Sequence, residues 1–382
     1  MKKIFLCGII ISLLLLALCS CAERGGEVIN AAEHGLSAEN TGELNSKALQ
    51  AIIDEAAQSG KTVYIPAGEY EFAANGKQTI GSHCIKMRSG VSIVGDGSKT
   101  VLKPVGRTRY GLDMFYFNDY LDKGEAIFLE NCRFENFVID GSGTSCEVYN
   151  SAGKGFMFNL FKNCHFKNVT VKNTDATGFG VDCPVRSTIS GCTAIGCGKA
   201  ATHESSGASG FGIGFGYCEE ESIVISDCTA LGNKKFGFFF EHQGRFSSLH
   251  RYNALPSENF TVKNCYAAEN LFGFGGINTF STVYENCVSE KSLRYGFFFE
   301  DSFGSGAVGC KSKNEKEACF AALQDLRDQD IPLKTEKIYF SACEGEGTPI
   351  GILTLGGADA SAPTADKCVF RNVASEYEKR EK

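Results

Sequence analysis

The stretch that decides the fold is SGFGIGFGYCEEESIVISDCTALGNKKFGFFFEHQG, residues 209–244. It opens with an alternating run, Gly212-Ile213-Gly214-Phe215-Gly216, and continues through Ser222-Ile223-Val224-Ile225, a corner at Ser226-Asp227, and Cys228-Thr229-Ala230. After Gly232-Asn233 the opening pattern returns as Gly237-Phe238-Phe239-Phe240-Glu241. The pattern recurs along most of the chain. A cysteine stands two residues before a small or apolar one at Cys132, Cys164, Cys192, Cys228, Cys265, Cys287, Cys310, Cys343 and Cys368. A glycine precedes an apolar residue at Gly155, Gly178, Gly212, Gly237, Gly273, Gly296 and Gly351. Short alternating strands at such a spacing, with no long helix between them, predict parallel strands stacked coil upon coil.

A break of phase within each unit supports this. Strict alternation would put Asp227 on the face of Ile223 and Ile225, and Cys228 on the opposite one. A corner before the cysteine resets the register, and Asn131, Asn163, Gly191, Asp227, Asn264, Asn286 and Gly309 suit the left-handed backbone such a corner needs. Ala342 and Lys367 do not fit that rule.

Met1-Lys2-Lys3 and the apolar run Ile4–Leu18 read as a secretion signal over residues 1–20. Leu18-Cys19-Ser20-Cys21 resembles a bacterial lipobox, which implies lipidation at Cys21 and an extracytoplasmic, membrane-anchored chain. A tether is expected at 21–27, the solenoid at 28–375 and a polar tail at 376–382. The formal charge of −7 becomes −9 once Lys2 and Lys3 leave with the signal. An acidic balance of this size argues against nucleic acid as a partner. Beyond Cys21 lie fifteen cysteines. Stacked strands about 4.8 Å apart hold side chains parallel, so the repeat cysteines read as small buried apolar residues rather than disulfides.

Asn45–Gln58 places Ala48, Leu49, Ile52, Ile53 and Ala56 on one helical face, ended by Ser59-Gly60, and Thr62–Gly68 reads as strand and turn. The segment VINAAEHGLSAENTGELNSKALQAIIDEAAQSGKTVYIPAGEYEF, with SGVSIVGDGSKTVLKP after it, resembles the opening of pectate-lyase-like, polygalacturonase-related proteins. The resemblance covers about Val28 to Val373. It implies an all-β, single-stranded right-handed parallel β-helix with a short N-terminal capping helix. It does not carry a hydrolase site over. Asn173-Thr174-Asp175 matches one short polygalacturonase motif, but the paired aspartates are missing and Phe211 stands where Gly-His-Gly would have its histidine. The Asp-Pro-His of alginate epimerases is also absent.

The site is therefore read from the residues. In the Gly-Phe strands the second residue after glycine gives an outward column Met157, Gly180, Gly214, Phe239, Gly275, Phe298; the fourth gives Asn159, Asp182, Gly216, Glu241, Ile277, Glu300. This predicts a glycine floor with aromatic plates at Phe239 and Phe298 and a carboxylate row ending at Glu300. The other reading is that glycine only relieves crowding and the acids are solvated. Loops Cys197–Ser209 and His242–Ser257 flank the floor and bring Lys199, His203, Glu204, His242 and Arg245. Asp182 and Glu241, two coils apart, would stand about 9.6 Å apart at the backbone, near the roughly 6.5–9.5 Å of inverting glycosidases.

The expected catalytic set is Asp182, Glu241, His242, His203 and Arg245, with Phe239, Phe298, Glu300, Arg186, Lys199 and Glu204 binding substrate. The chain is thus expected to cleave or modify an acidic, plant or microbial polysaccharide as a glycosidase or a lyase, the latter with Ca²⁺ as a possible cofactor. The alternatives are a surface protein that binds glycan or a host component without catalysis, and a purely structural solenoid. Glu315–Asp330 is charged and is expected to be partly helical.

Overall fold

The computed structural model describes residues 27–75, 81–119, 126–243, 260–325, 334–357 and 360–381. Three long parallel sheets run the length of the molecule, each strand pairing with its counterpart one coil on, in sheets of twelve, eleven and twelve strands. These are the stacked parallel strands that the repeat predicts, in the right-handed parallel β-helix that the resemblance implies. The first sheet begins at Val28–Asn30 and Thr62–Ile65, the second at Gly68–Phe72, and the third, called here the site sheet, at His83–Lys86.

An aromatic ladder fixes the register of the site sheet. Phe115, Phe156, Phe179, Phe211, Phe238, Phe274, Phe297 and Phe320 stack face to face inside the coil, with centroids 4.7–5.4 Å apart. All eight are fully buried. Six of the eight follow a glycine, Phe115 following Met114 and Phe320 following Cys319, and that glycine is needed for room rather than for backbone angle. A Cβ on Gly155, Gly178, Gly210, Gly237 or Gly273 would lie 2.6–2.9 Å from the carbonyl oxygen of the equivalent glycine one coil on.

The ladder corrects one coil of the expected register by two residues. Phe179 pairs with Phe211 and Phe211 with Phe238, so the repeat glycine there is Gly210, not Gly212. Phe211, at the position read as the missing histidine, is a rung of the core. A shift of two keeps every residue on its face.

The corners behave as predicted, and Ala342 and Lys367 join them: all nine residues before the repeat cysteines have φ between 50° and 62°. The cysteines themselves occupy two corners rather than one column. Cys132 and Cys164 lie between the site sheet and the first sheet, and the other seven lie between the first and second sheets. All fifteen cysteines beyond Cys21 are unbonded. Their role exceeds filling space, because backbone N–H groups of Cys192, Cys228 and Cys287 donate to Sγ of Cys228, Cys265 and Cys310 one coil on.

Helix α1 (Gly42–Ser59) is capped by Thr41 Oγ1 accepting from Leu44 N–H and ends at left-handed Gly60. Its buried face, Leu49, Ile52, Ile53 and Ala56, closes one end of the core. Asn45, Ser46 and Gln50 satisfy backbone groups of Glu71, Ala73 and Lys86 at that end. Ala318–Leu323, in the segment expected to be partly helical, is a site-sheet strand. Ser375–Arg380, which reaches into the polar tail, pairs in parallel with Ile350–Leu355 as the outermost strand.

Candidate functional site

The outward columns of the site sheet, with the corrected register, read Met157, Gly180, Gly212, Phe239, Gly275, Phe298 and Asn159, Asp182, Gly214, Glu241, Ile277, Glu300. Three glycines, Gly180, Gly212 and Gly214, make a floor two coils deep. Over it lies a cleft of about 420 Å³ that holds Asp182, Glu241, Lys154, Phe239, Gln243 and Asn278 in its walls.

Asp182 and Glu241 sit on strands Phe179–Val185 and Phe236–His242, with Gly214 directly between them, where the sequence placed Gly216. Gly214 N–H donates to Asp182 Oδ1 at 2.8 Å, so the carboxylate leans across the glycine toward the coil of Glu241. Burial pushes the Asp182 carboxyl above its ordinary value, against the pull of the Lys154 charge and of the Gly214 hydrogen bond. Lys154 reaches over the floor because Gly180 leaves it room; a Cβ there would meet Lys154 Cδ at 2.5 Å. Ser209 Oγ and Asn278 Oδ1 are buried in the cleft wall with no hydrogen-bond partner.

Phe239 stacks on Phe236 at 4.2 Å and 17°, which covers one face of its ring. The edge of the cleft is therefore an aromatic wall across the groove rather than a plate lying flat along it. Beyond the wall a second hollow of about 780 Å³ takes His203, Glu204, Phe298 and Glu300. Phe298 and Glu300 are 4% and 2% exposed. The sequence thus grouped into one site residues that the fold divides between two.

Three further assignments change. His242 follows Glu241 on the strand, so it faces inward; it is fully buried edge-on against Phe215 at 5.2 Å and has no access to the cleft. Lys199 is bound away from the floor, to Gly141 O, to Thr144 Oγ1 at 3.2 Å and to buried Asp175 at 3.4 Å. Arg186 occupies the left-handed corner after its strand and faces Glu220 at 3.9 Å. Arg245 and Cys21 lie outside the described residues.

Lys154, Thr177 and Ser209, which the sequence reading missed, form one column with Phe236: each immediately precedes a repeat glycine. Alternation counts that position as inward, but the glycine is itself a corner and turns it outward. Among the described residues no group of three or more His, Cys, Asp or Glu side chains is placed to hold a metal ion. Asp182 and Glu241 alone are a poor donor set for Ca²⁺, which takes six to eight oxygens.

Stacked parallel sheets with acids presented from the outer face of one of them define a right-handed parallel β-helix protein with a lateral cleft. The chain belongs to the rhamnogalacturonase A/epimerase, pectate lyase-like family, whose profile matches residues 28–298. Mannuronan C5-epimerase AlgE1 of Azotobacter vinelandii is 40% identical over 78 residues, which are 20% of this chain and 5% of that protein; the chain spans a small fraction of that relative's length. The A-module of mannuronan C-5 epimerase AlgE4 from the same organism is similar over 93% of this chain and 100% of its own, at 17% identity and a TM-score of 0.61. A family 28 exopolygalacturonase of Yersinia enterocolitica is similar over 94% of this chain and 78% of its own, at 12% identity and a TM-score of 0.63. Likeness at these identities establishes the fold.

Proposed function

We propose that the protein hydrolyses a glycosidic bond of an extracellular polysaccharide, with Asp182 as general acid and Glu241 as the base that activates water. The observation that carries this is the pair of carboxylates on alternate coils with a bare glycine between them. Two coils correspond to about 9.6 Å of backbone, next to the range of carboxyl separations that admits a water, roughly 6.5–9.5 Å, and Asp182 leans over Gly214 on the side of Glu241. The raised Asp182 carboxyl suits the acid role, since it holds its proton nearer neutrality. Lys154 offers a counter-charge to a uronate carboxylate. The polysaccharide-modifying relatives support a carbohydrate substrate. We also propose that the mature chain is held outside the cytoplasm by a lipid on Cys21.

The test is a panel of acidic and neutral polysaccharides, read for new reducing ends and for unsaturated ends, with wild-type protein, Asp182→Asn and Glu241→Gln. Hydrolysis gives reducing ends only, and each variant loses about 10²–10⁴-fold in kcat with binding retained. Unsaturated ends would replace hydrolysis by elimination. Tight glycan binding without turnover would make the cleft a recognition site.

A further inference from the structure

We propose that Gln243 is a third catalytic residue of the cleft, its carboxamide holding the attacking water for Glu241. This role rests on the hydrolase reading above and deepens it, by assigning a residue to the water.

Gln243 follows the strand Phe236–His242, and its N–H donates to Phe215 O at 2.7 Å, so the ladder to the preceding coil runs on through it. Alternation then sends its side chain outward, on the side of Glu241 two residues before. From there the side chain folds back over Gly214. Measured from the point where a Cβ on that glycine would stand, Gln243 Cγ is 2.4 Å away, Asp182 Oδ1 2.5 Å and Gln243 Nε2 2.7 Å. Gly214 itself lies between Asp182 and Glu241 in the ladder. The half-buried amide of Gln243 therefore stands at the gap between the two carboxylates, and all four residues line the cleft. Among the described residues no group hydrogen-bonds that amide.

That gap is where an inverting displacement needs its water. The acid stands by the departing oxygen, and the base activates a water on the opposite face of the sugar ring. A single carboxylate fixes one hydrogen of that water and leaves the molecule free to turn. A carbonyl oxygen that accepts the other hydrogen aims the lone pair at the anomeric carbon, and alignment of this kind is a large part of a catalysed rate. A carboxamide suits the task. Its oxygen accepts, it adds no charge beside the two carboxylates, and it does not take the proton meant for the base. Glutamine orients attacking water in the same way in GTP hydrolysis. In the step itself the water oxygen bonds to the anomeric carbon as the bond from that carbon to the glycosidic oxygen breaks. Asp182 gives its proton to the departing oxygen, Glu241 takes one from the water, and Gln243 accepts a hydrogen bond and transfers nothing.

The test uses the polysaccharide found to be cut and the glycosyl fluoride of a saccharide released from it. Wild type is compared with Gln243→Ala, Gln243→Met, Asp182→Asn and Glu241→Gln, each shown folded by circular dichroism. Gln243→Met keeps the bulk over Gly214 and removes the amide. On the polysaccharide both Gln243 variants are expected to lose about 10²-fold in kcat, the scale of a misplaced reactant, with KM nearly unchanged. Fluoride departs without a proton, so the fluoride substrate spares the acid but still needs the water. On it Asp182→Asn should regain most of its rate, whereas both Gln243 variants and Glu241→Gln should keep their losses. A wild-type rate in Gln243→Met would make the side chain a filler, and a loss confined to KM would make it a substrate binder. A loss that vanishes on the fluoride would put it on the leaving-group side. Each of these three overturns the water-holding role while hydrolysis stands. A wild type that releases no new reducing ends, or releases unsaturated ones, overturns the hydrolase reading and this role together.

Discussion

Gly214 lies between the two carboxylates of the cleft. A Cβ there would collide with Gln243 Cγ and would lie 2.5 Å from Asp182 Oδ1. Both are side-chain atoms, so the fold can yield while the carboxylate is pushed out of line with Glu241. Gly214→Ala is therefore expected to cost about 10²-fold or more in kcat, the scale of a misplaced catalytic group, with a melting temperature within a few degrees of wild type. Steady-state kinetics and a thermal melt on one preparation check both halves. A second residue-scale effect belongs to Glu221. It is fully buried and accepts the N–H groups of Gly216 at 2.7 Å and Tyr217 at 3.1 Å. Burial outweighs those bonds and pushes its carboxyl from the ordinary 4.5 to about 7. Between those values the folded chain keeps a proton that the unfolded chain has released, so this group's contribution to stability is present below pH 4.5 and falls as pH rises to about 7. Glu221→Gln removes the titration. Urea unfolding at pH 4.5 and pH 8 should show wild type losing more stability than the variant, by up to about 3 kcal/mol.

At the scale of the strand, the phenylalanine ladder shows what the sequence made legible and what it hid. Alternation and the repeat were enough for the fold, for the inward and outward faces, and for the pairing of Asp182 with Glu241 across a glycine. Two local ambiguities defeated the rest. In Gly210-Phe211-Gly212-Ile213 two Gly-apolar pairs stand in tandem, and only ring stacking over neighbouring coils, 4.7 Å to Phe179 and 4.7 Å to Phe238, selects Phe211. The repeat glycine is a corner, yet in a string of letters it reads as one more alternating position, so the outward column of Lys154, Thr177 and Ser209 went unseen. His242 is misplaced for another reason: it reads as the first residue of a loop beside the floor, whereas the strand runs on through it, and neighbours on a strand face opposite ways. The ladder makes its own prediction. Phe211→Ala empties a rung between two stacked rings and should destabilise the chain by about 3–5 kcal/mol, whereas Phe211→Leu, which retains most of the volume, should cost clearly less. Equilibrium denaturation in urea distinguishes them; equal costs would mean that the stack does not set the register.

At the scale of the molecule, a solenoid has to protect its ends, because each terminal coil presents strands with one edge unpaired. The two ends of the described chain do this differently. Near the start, α1 lays an apolar face over the core, and Asn45, Ser46 and Gln50 take up backbone groups that would otherwise invite another strand. At the other end nothing helical covers the core among the described residues. Ser375–Arg380 is the outermost strand of the site sheet and reads Ser-Glu-Tyr-Glu-Lys-Arg, with four of its six residues charged. Charge on an exposed edge discourages pairing, since a second copy in register would meet like charges across a dry interface. Replacing Glu376, Glu378, Lys379 and Arg380 together by threonine keeps the strand propensity and removes that repulsion. The variant is expected to remain folded by circular dichroism but to associate with rising concentration in sedimentation velocity, while wild type under the same conditions does not. Ser46→Ala with Gln50→Ala, which strips two edge-satisfying side chains while leaving the apolar face of α1 intact, should lower the unfolding midpoint more than it promotes association, because the helix still blocks the approach of another chain. If the charged-strand variant stays monodisperse across the concentration series, charge is not what guards that end.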